Sequence, residues 1–180
     1  FRMDSRLRGN DSQKGRHMNF TLTEEQIMIR DMARDFAQTE LAPKAAGWDE
    51  TETFPTEAVK KMGELGLMGI MAPAELGGSG MDMLSYVIAL EEIAAACAST
   101  AVTMSVNNSL YLGCIGEWAS DAQKKKYMPE FAKGLKLGAY ALSEPDAGSD
   151  AANQKTTAVL KGDHYILNGT KNFITNGPHA

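Results

Sequence analysis

Two periods in one chain predict an α+β fold: an N-terminal all-α helical domain followed by the start of an antiparallel β domain. Apolar residues recur at helical spacing from Thr21 to about residue 134, then alternate at strand spacing toward Ala180. The second half is also punctuated by Gly162-Asp163, Asn168-Gly169 and Asn176-Gly177, the residue pairs that make tight turns between antiparallel strands. The boundaries expected from this are a leader at 1–17, a helical domain at 18–134 and an incomplete β domain at 135–180.

The first helix starts at a capping box, either Thr21 with Glu24 or Thr23 with Gln26, and places Ile29, Ala33, Phe36 and Ala37 on one stripe. Pro43 is expected to end or kink it. A second helix follows in "FPTEAVKKMGELG", with Pro55 and Glu57 in its first turn, Val59, Met62 and Leu65 buried, and Gly66 as the stop. The Gly-rich stretch "LMGIMAPAELGGSGMD" reads as a long loop. Two apolar helices are expected at 82–99, through Leu84, Val87, Ile88 and Ile93, and at about 100–118, through Val102, Val106, Leu110 and Ile115. Both are apolar enough to be core. Ser120 with Gln123 caps a further helix that Gly134 closes. Strands are then expected in "LKLGAYALS", "KTTAVLKG", "HYILNG" and "TKNFITNG", forming a meander. A meander halted at Ala180 leaves an open edge, so the chain is expected to be the front part of a longer protein.

The net charge of −5 is unevenly spread. Residues 1–17 hold five basic and two acidic side chains, a net +3, which leaves −8 on the remainder. An acidic body without a Lys/Arg stripe argues against nucleic acid as a partner, and Lys124 to Lys126 read as a solvated helix face. No run of about 18 apolar residues suggests a membrane span, and no apolar segment follows the basic start as a secretory signal requires. The leader reads as non-native or misassigned, with Met18 as the start. A transit peptide is the rival reading, weakened by Asp4 and Asp11. Cys97 and Cys114 have neither disulfide nor metal spacing and read as buried thiols of a reducing, cytoplasmic compartment.

The stretch most open to chemistry is "SEPDAGSD", where Gly148, backbone amides and the Ser149 hydroxyl offer an anion such as a phosphate a set of donors. A plain turn joining two strands explains the same residues. Glu144, before Pro145 in an exposed-looking turn and with no titratable neighbour, is not expected to be a general base. His17, His164 and His179 are scattered and read as surface residues, and no metal site is suggested. There is no GxGxxG after a strand, so a Rossmann site is not supported.

Three segments in order, "EWASDAQKKKYMPEFAKG", "AYALSEPDAGSD" and "LNGTKNFITNG", resemble the acyl-CoA dehydrogenase family, and the similarity runs from about Thr21 to the end of the chain. The resemblance implies a helical domain, a central β domain and a C-terminal four-helix bundle, with FAD between the last two; Ala180 then falls inside the β domain. It implies that Tyr140, Leu142 and Ser143 lie against the flavin, that Gly148 and Ser149 meet the FAD pyrophosphate, and that Phe173 covers the isoalloxazine. Ile174 belongs to the same cofactor segment, and Thr175 is expected to bond near the reactive nitrogen. Many relatives carry Trp in place of Phe173, so ring packing is implied there but indole contacts are not.

The activity implied is α,β-dehydrogenation of an acyl-CoA thioester, with electrons leaving to an electron-transfer flavoprotein. The base of this family is a glutamate of the bundle, so no catalytic residue is expected in this chain. Ser149, Val102 and Val106 are the expected substrate contacts, and branched side chains at Val102 and Val106, together with "VNNSL", suggest a short straight or branched acyl group. A homotetramer or homodimer is implied, in the mitochondrial matrix if the source is eukaryotic. The rival readings are an acyl-CoA oxidase or flavin monooxygenase on the same fold, and a catalytically inert fragment.

Overall fold

The computed structural model describes residues 20–180; the leader, His17 and Met18 lie outside the described residues. Of the two capping boxes, the one formed starts at Thr23. Its hydroxyl accepts from the Gln26 amide at 3.2 Å and the Gln26 side chain accepts from the Thr23 amide at 3.1 Å. The helix α1, Glu24–Phe36, buries Ile29, Ala33 and Phe36, and Ala37 continues the stripe.

Pro43 neither ends nor breaks this helix. A π-helical turn, Ala37–Leu41, leads into α2, Ala42–Glu50, and the amide of Ala42 reaches back five residues to the carbonyl of Ala37. The wider turn removes the spacing at which a proline ring collides with the preceding coil. The helix α3, Thr56–Glu64, stops at Gly66 in the left-handed conformation at φ 75°. Val59 and Met62 are buried there, whereas Leu65 is exposed.

The Gly-rich stretch after it is irregular, as expected, but it is interior. Leu67, Met68 and Ile70 are fully buried, and the strand-like return bonds the amides of Ser79 and Met81 to the carbonyls of Gly69 and Ile70, both at 2.9 Å. Asp82 then caps α4, Met83–Ala96, accepting from the Ser85 amide at 2.7 Å. Extended backbone at Cys97 separates α4 from α5, Ala98–Ser105, which runs through a second π-helical turn, Val106–Leu112, into α6, Gly113–Trp118.

These two long segments are only half core, contrary to the sequence reading. Ile88, Ile93 and Val106 are buried, but Leu84, Val87, Val102 and Leu110 are exposed. Cys97 is buried as expected; Cys114 is exposed. The helix α7, Asp121–Ala132, has the expected Ser120 and Gln123 box and ends at Gly134 with φ 68°. The core between α1, α3, α4, α5 and the 67–70 stretch is filled by Leu41, Met62, Leu67, Met68, Ile70, Ile93 and Met104.

The meander is reduced to one hairpin. β1, Thr157–Lys161, pairs antiparallel with β2, His164–Asn168, with Lys161 opposite His164 across Gly162 and Asp163. The other two expected strands, 135–143 and 170–177, carry no ladder among the described residues. All ten hairpin residues are exposed, so no partner face holds the flanking segments in register. No helix is long and apolar enough to cross a membrane, and no cluster of three His, Cys, Asp or Glu can hold a metal ion, among the described residues.

Candidate functional site

The segments 138–144 and 171–176 lie beside each other although they are not a ladder. The Asn172 amide donates to the Ser143 carbonyl at 2.9 Å, and the Leu142 carbonyl accepts from Lys171 Nζ at 3.0 Å and Gln154 Nε2 at 2.7 Å. Glu144 is the anchor of this arrangement, which corrects its reading as an exposed residue without a titratable neighbour. It is 7% exposed, pairs with Lys171 Nζ at 2.9 Å, and accepts from the amides of Lys155 and Thr156. The Lys171 bond first, then the Thr156 and Lys155 bonds, hold its carboxyl down to about 2. A carboxylate so stabilised is a poor proton acceptor at neutral pH, so its exclusion as a base stands for a different reason.

Around this anchor the expected cofactor residues are exposed or half-buried. Tyr140 and Leu142 point outward beside half-buried Ser143, and the amides of Tyr140, Leu142 and Ser143 take no hydrogen-bond partner among the described residues. Gly148 and Ser149 are exposed, and a Cβ added at Gly148 meets nothing within 4 Å. Phe173 is 95% exposed and held at φ 56°, in the left-handed region unusual for an aromatic residue. An aromatic ring held out of the core, unpartnered amides and an open glycine fit a large, flat, anionic ligand such as FAD.

Thr175 faces a different feature, a cleft of about 530 Å³ whose walls include Val102, Thr103, Phe54, Asn176 and His179. Val102 and Thr175, which lie 73 residues apart, thus share one cavity. Val106 is buried and does not line it. Ile174 is half-buried behind the turn. Of the histidines, His164 is exposed beside Asp163, and His179 is exposed with its ring stacked on Phe54 at 3.9 Å.

Two residues that position this site were not singled out from sequence. Asn107, in the second π-helical turn, donates to the carbonyls of Met68 at 2.7 Å and Phe131 at 3.0 Å and accepts from the Gly138 amide at 2.8 Å. Asn108 accepts from the Ile70 amide at 2.8 Å and donates to Leu67 and Met104. Both are buried, and together they tie the 67–70 stretch, the end of α7 and the start of the 138–144 segment to one helix. Two adjacent asparagines in an apolar helical run were the signal available, since buried amides are retained where every polar atom has a partner.

The helical layer and the segments that follow it superpose on solved structures. The butyryl-CoA dehydrogenase of Megasphaera elsdenii superposes with a TM-score of 0.85 at 40% identity, over 91% of this chain and 44% of that one. A chain solved with the electron transferring flavoprotein of Acidaminococcus fermentans gives 0.88 at 48% identity, over 91% and 43%. The family model for the acyl-CoA dehydrogenase N-terminal domain matches residues 23–135, and that for the middle domain matches 139–180. The chain belongs to the acyl-CoA dehydrogenase family. Among curated relatives, the short-chain specific acyl-CoA dehydrogenase of Clostridium acetobutylicum is 53% identical over 160 residues, 89% of this chain and 42% of that protein. The short-chain specific mitochondrial enzyme of Homo sapiens is 51% identical over 164 residues, 91% of this chain and 40% of that one. The chain therefore spans about two fifths of the length of these relatives.

Proposed function

We propose that this chain is the N-terminal part of an FAD-dependent acyl-CoA dehydrogenase acting on short acyl thioesters. The observation that carries the reading is the shared cleft: Val102 from α5 forms a wall for an apolar chain, and Thr175 opens onto the same cavity from the segment that holds Phe173. In this reading Phe173 packs on the flavin ring, the amides of Tyr140, Leu142 and Ser143 and the Ser143 hydroxyl bond its polar edge, and Gly148 and Ser149 accommodate the pyrophosphate. Bound FAD supplies the hydride acceptor for the β carbon. The chain's own contribution is to orient: Glu144 and Lys171 hold the 142–144 and 171–172 backbones at one spacing, and Val102 limits the depth available to the acyl group. No base for the α proton is assigned among the described residues.

Short-chain preference is supported by the short-chain specific relatives and by the branched side chain of Val102 on the cleft wall. An electron-transfer flavoprotein is the proposed electron acceptor and a homotetramer or homodimer the proposed assembly. The location is proposed as cytoplasmic, or the mitochondrial matrix in a eukaryote. The test is anaerobic titration of the purified full-length flavoprotein with a panel of acyl-CoAs in the absence of any acceptor, followed by turnover with a dye acceptor. Bleaching of the flavin by butyryl-CoA or a similar short thioester is expected; a flavoprotein reduced by no thioester overturns the reading. Peroxide formed in air without an acceptor protein favours the oxidase alternative.

A further inference from the structure

Asn176 follows Thr175 in the turn, and the roles above do not use it. It holds φ at 66°, a conformation asparagine tolerates better than most side chains. It is 6% exposed although it lines the cleft with Val102 and Thr175. Its Nδ2 donates to the Thr103 carbonyl at 3.3 Å and to the Gly138 carbonyl at 3.0 Å. Its Oδ1 is buried with no hydrogen-bond partner among the described residues. The amide is not free to turn over, because Oδ1 would then oppose two carbonyl oxygens. A buried acceptor left without a donor is a cost, so the residue is kept for the two bonds it donates.

Those bonds reach the two walls of the proposed site. Thr103 is adjacent to Val102 on α5, and Gly138 lies two residues before Tyr140. The far end of the same turn is fastened by the His179 ring on Phe54, beside Glu52, which is itself held at φ 52°. Among the described residues, Asn176 is the side chain of this turn that hydrogen-bonds to both walls. We propose that Asn176 is a positioning residue that fixes the distance between the FAD surface and the acyl wall, with Thr175 held between them. This rests on the FAD-dependent reading above.

The experiment uses full-length holoenzyme. Asn176→Gly keeps the left-handed backbone and removes both bonds. The FAD dissociation constant, read by flavin fluorescence, is expected to rise about tenfold, the flavin absorption band to shift, and KM for a short acyl-CoA to rise more than kcat falls. Asn176→Asp keeps the shape but offers no donor at neutral pH and is expected to act in the same direction. Thr23→Ala, which removes the hydroxyl from the capping box of α1 away from the cleft, is expected to lower Tm while leaving FAD affinity and the flavin spectrum unchanged. FAD affinity within about twofold of wild type and an unshifted band in Asn176→Gly overturn the proposal. So does an equal loss of FAD affinity in Thr23→Ala, or failure of both Asn176 variants to fold, since either marks a general structural role. A wild-type protein that binds no FAD overturns the functional reading itself, and the proposal with it.

Discussion

Replacing Asn107 with leucine tests whether the amide hub, rather than apolar packing, holds the helical layer to the segment that bears the site. The side chain is fully buried and bonds three backbone groups, the carbonyls of Met68 and Phe131 and the amide of Gly138. Their losses are unequal. The Phe131 carbonyl also accepts from the Gly134 amide at 3.1 Å and is not orphaned. The Gly138 amide has one hydrogen and no alternative partner in a buried position, so it carries the full penalty of about 2 to 3 kcal/mol, and the Met68 carbonyl adds about 1 kcal/mol. The sum, about 3 to 4 kcal/mol, is a large share of the 5–15 kcal/mol typical of a whole domain. Urea unfolding of the full-length protein should show the midpoint falling with the slope unchanged. Asn107→Asp sharpens the test: its carboxylate faces two carbonyls, so its pKa is raised and its deficit shrinks as pH falls and the acid regains a donor. A loss below about 1 kcal/mol in Asn107→Leu refutes the assignment of the hub.

Glu144→Gln removes the carboxylate whose pKa is held at about 2, below its ordinary value. A depressed pKa gives stability that is complete above the unfolded value and lost as pH falls, here from about pH 5 toward 2. Thermal unfolding across that range should therefore slope less steeply in the variant. Gly69→Ala sets a Cβ 2.6 Å from the Ala132 carbonyl and 2.7 Å from its Cα; since α7 cannot yield locally, a loss of about 1 to 3 kcal/mol in chemical denaturation is expected. Phe173→Ala, at a 95% exposed position, should leave stability within about 0.5 kcal/mol while lowering FAD retention on purification. Val102→Ala should move the acyl chain-length optimum upward in steady-state assays, whereas Val106→Ala, buried outside the cleft, should cost stability and leave the profile alone.

What the sequence determined by itself is whatever is decided within a few residues. The capping box at Ser120, the stripe Ile29, Ala33, Phe36 and Ala37, the stop at Gly66 and the two-residue turn at Gly162 each depend on neighbours at most four positions away. The motifs in "SEPDAGSD" and "NFITNG" are likewise visible as strings, and the family follows from their order. Tertiary structure alone decided the rest. Glu144 is buried by amides 11 and 12 residues ahead and by Lys171, Asn107 reaches Gly138 over 31 residues, and Asn176 reaches Thr103 over 73. The π-helical turns at 37–41 and 106–112 follow the same logic, because a helix widens where the surrounding core places its partners, not where local propensity asks for it. Which face of α4 and α5 is covered was also beyond local pattern: an apolar residue such as Val102 has the same composition on a cleft wall as in a core, and only the position of distant backbone tells the two apart.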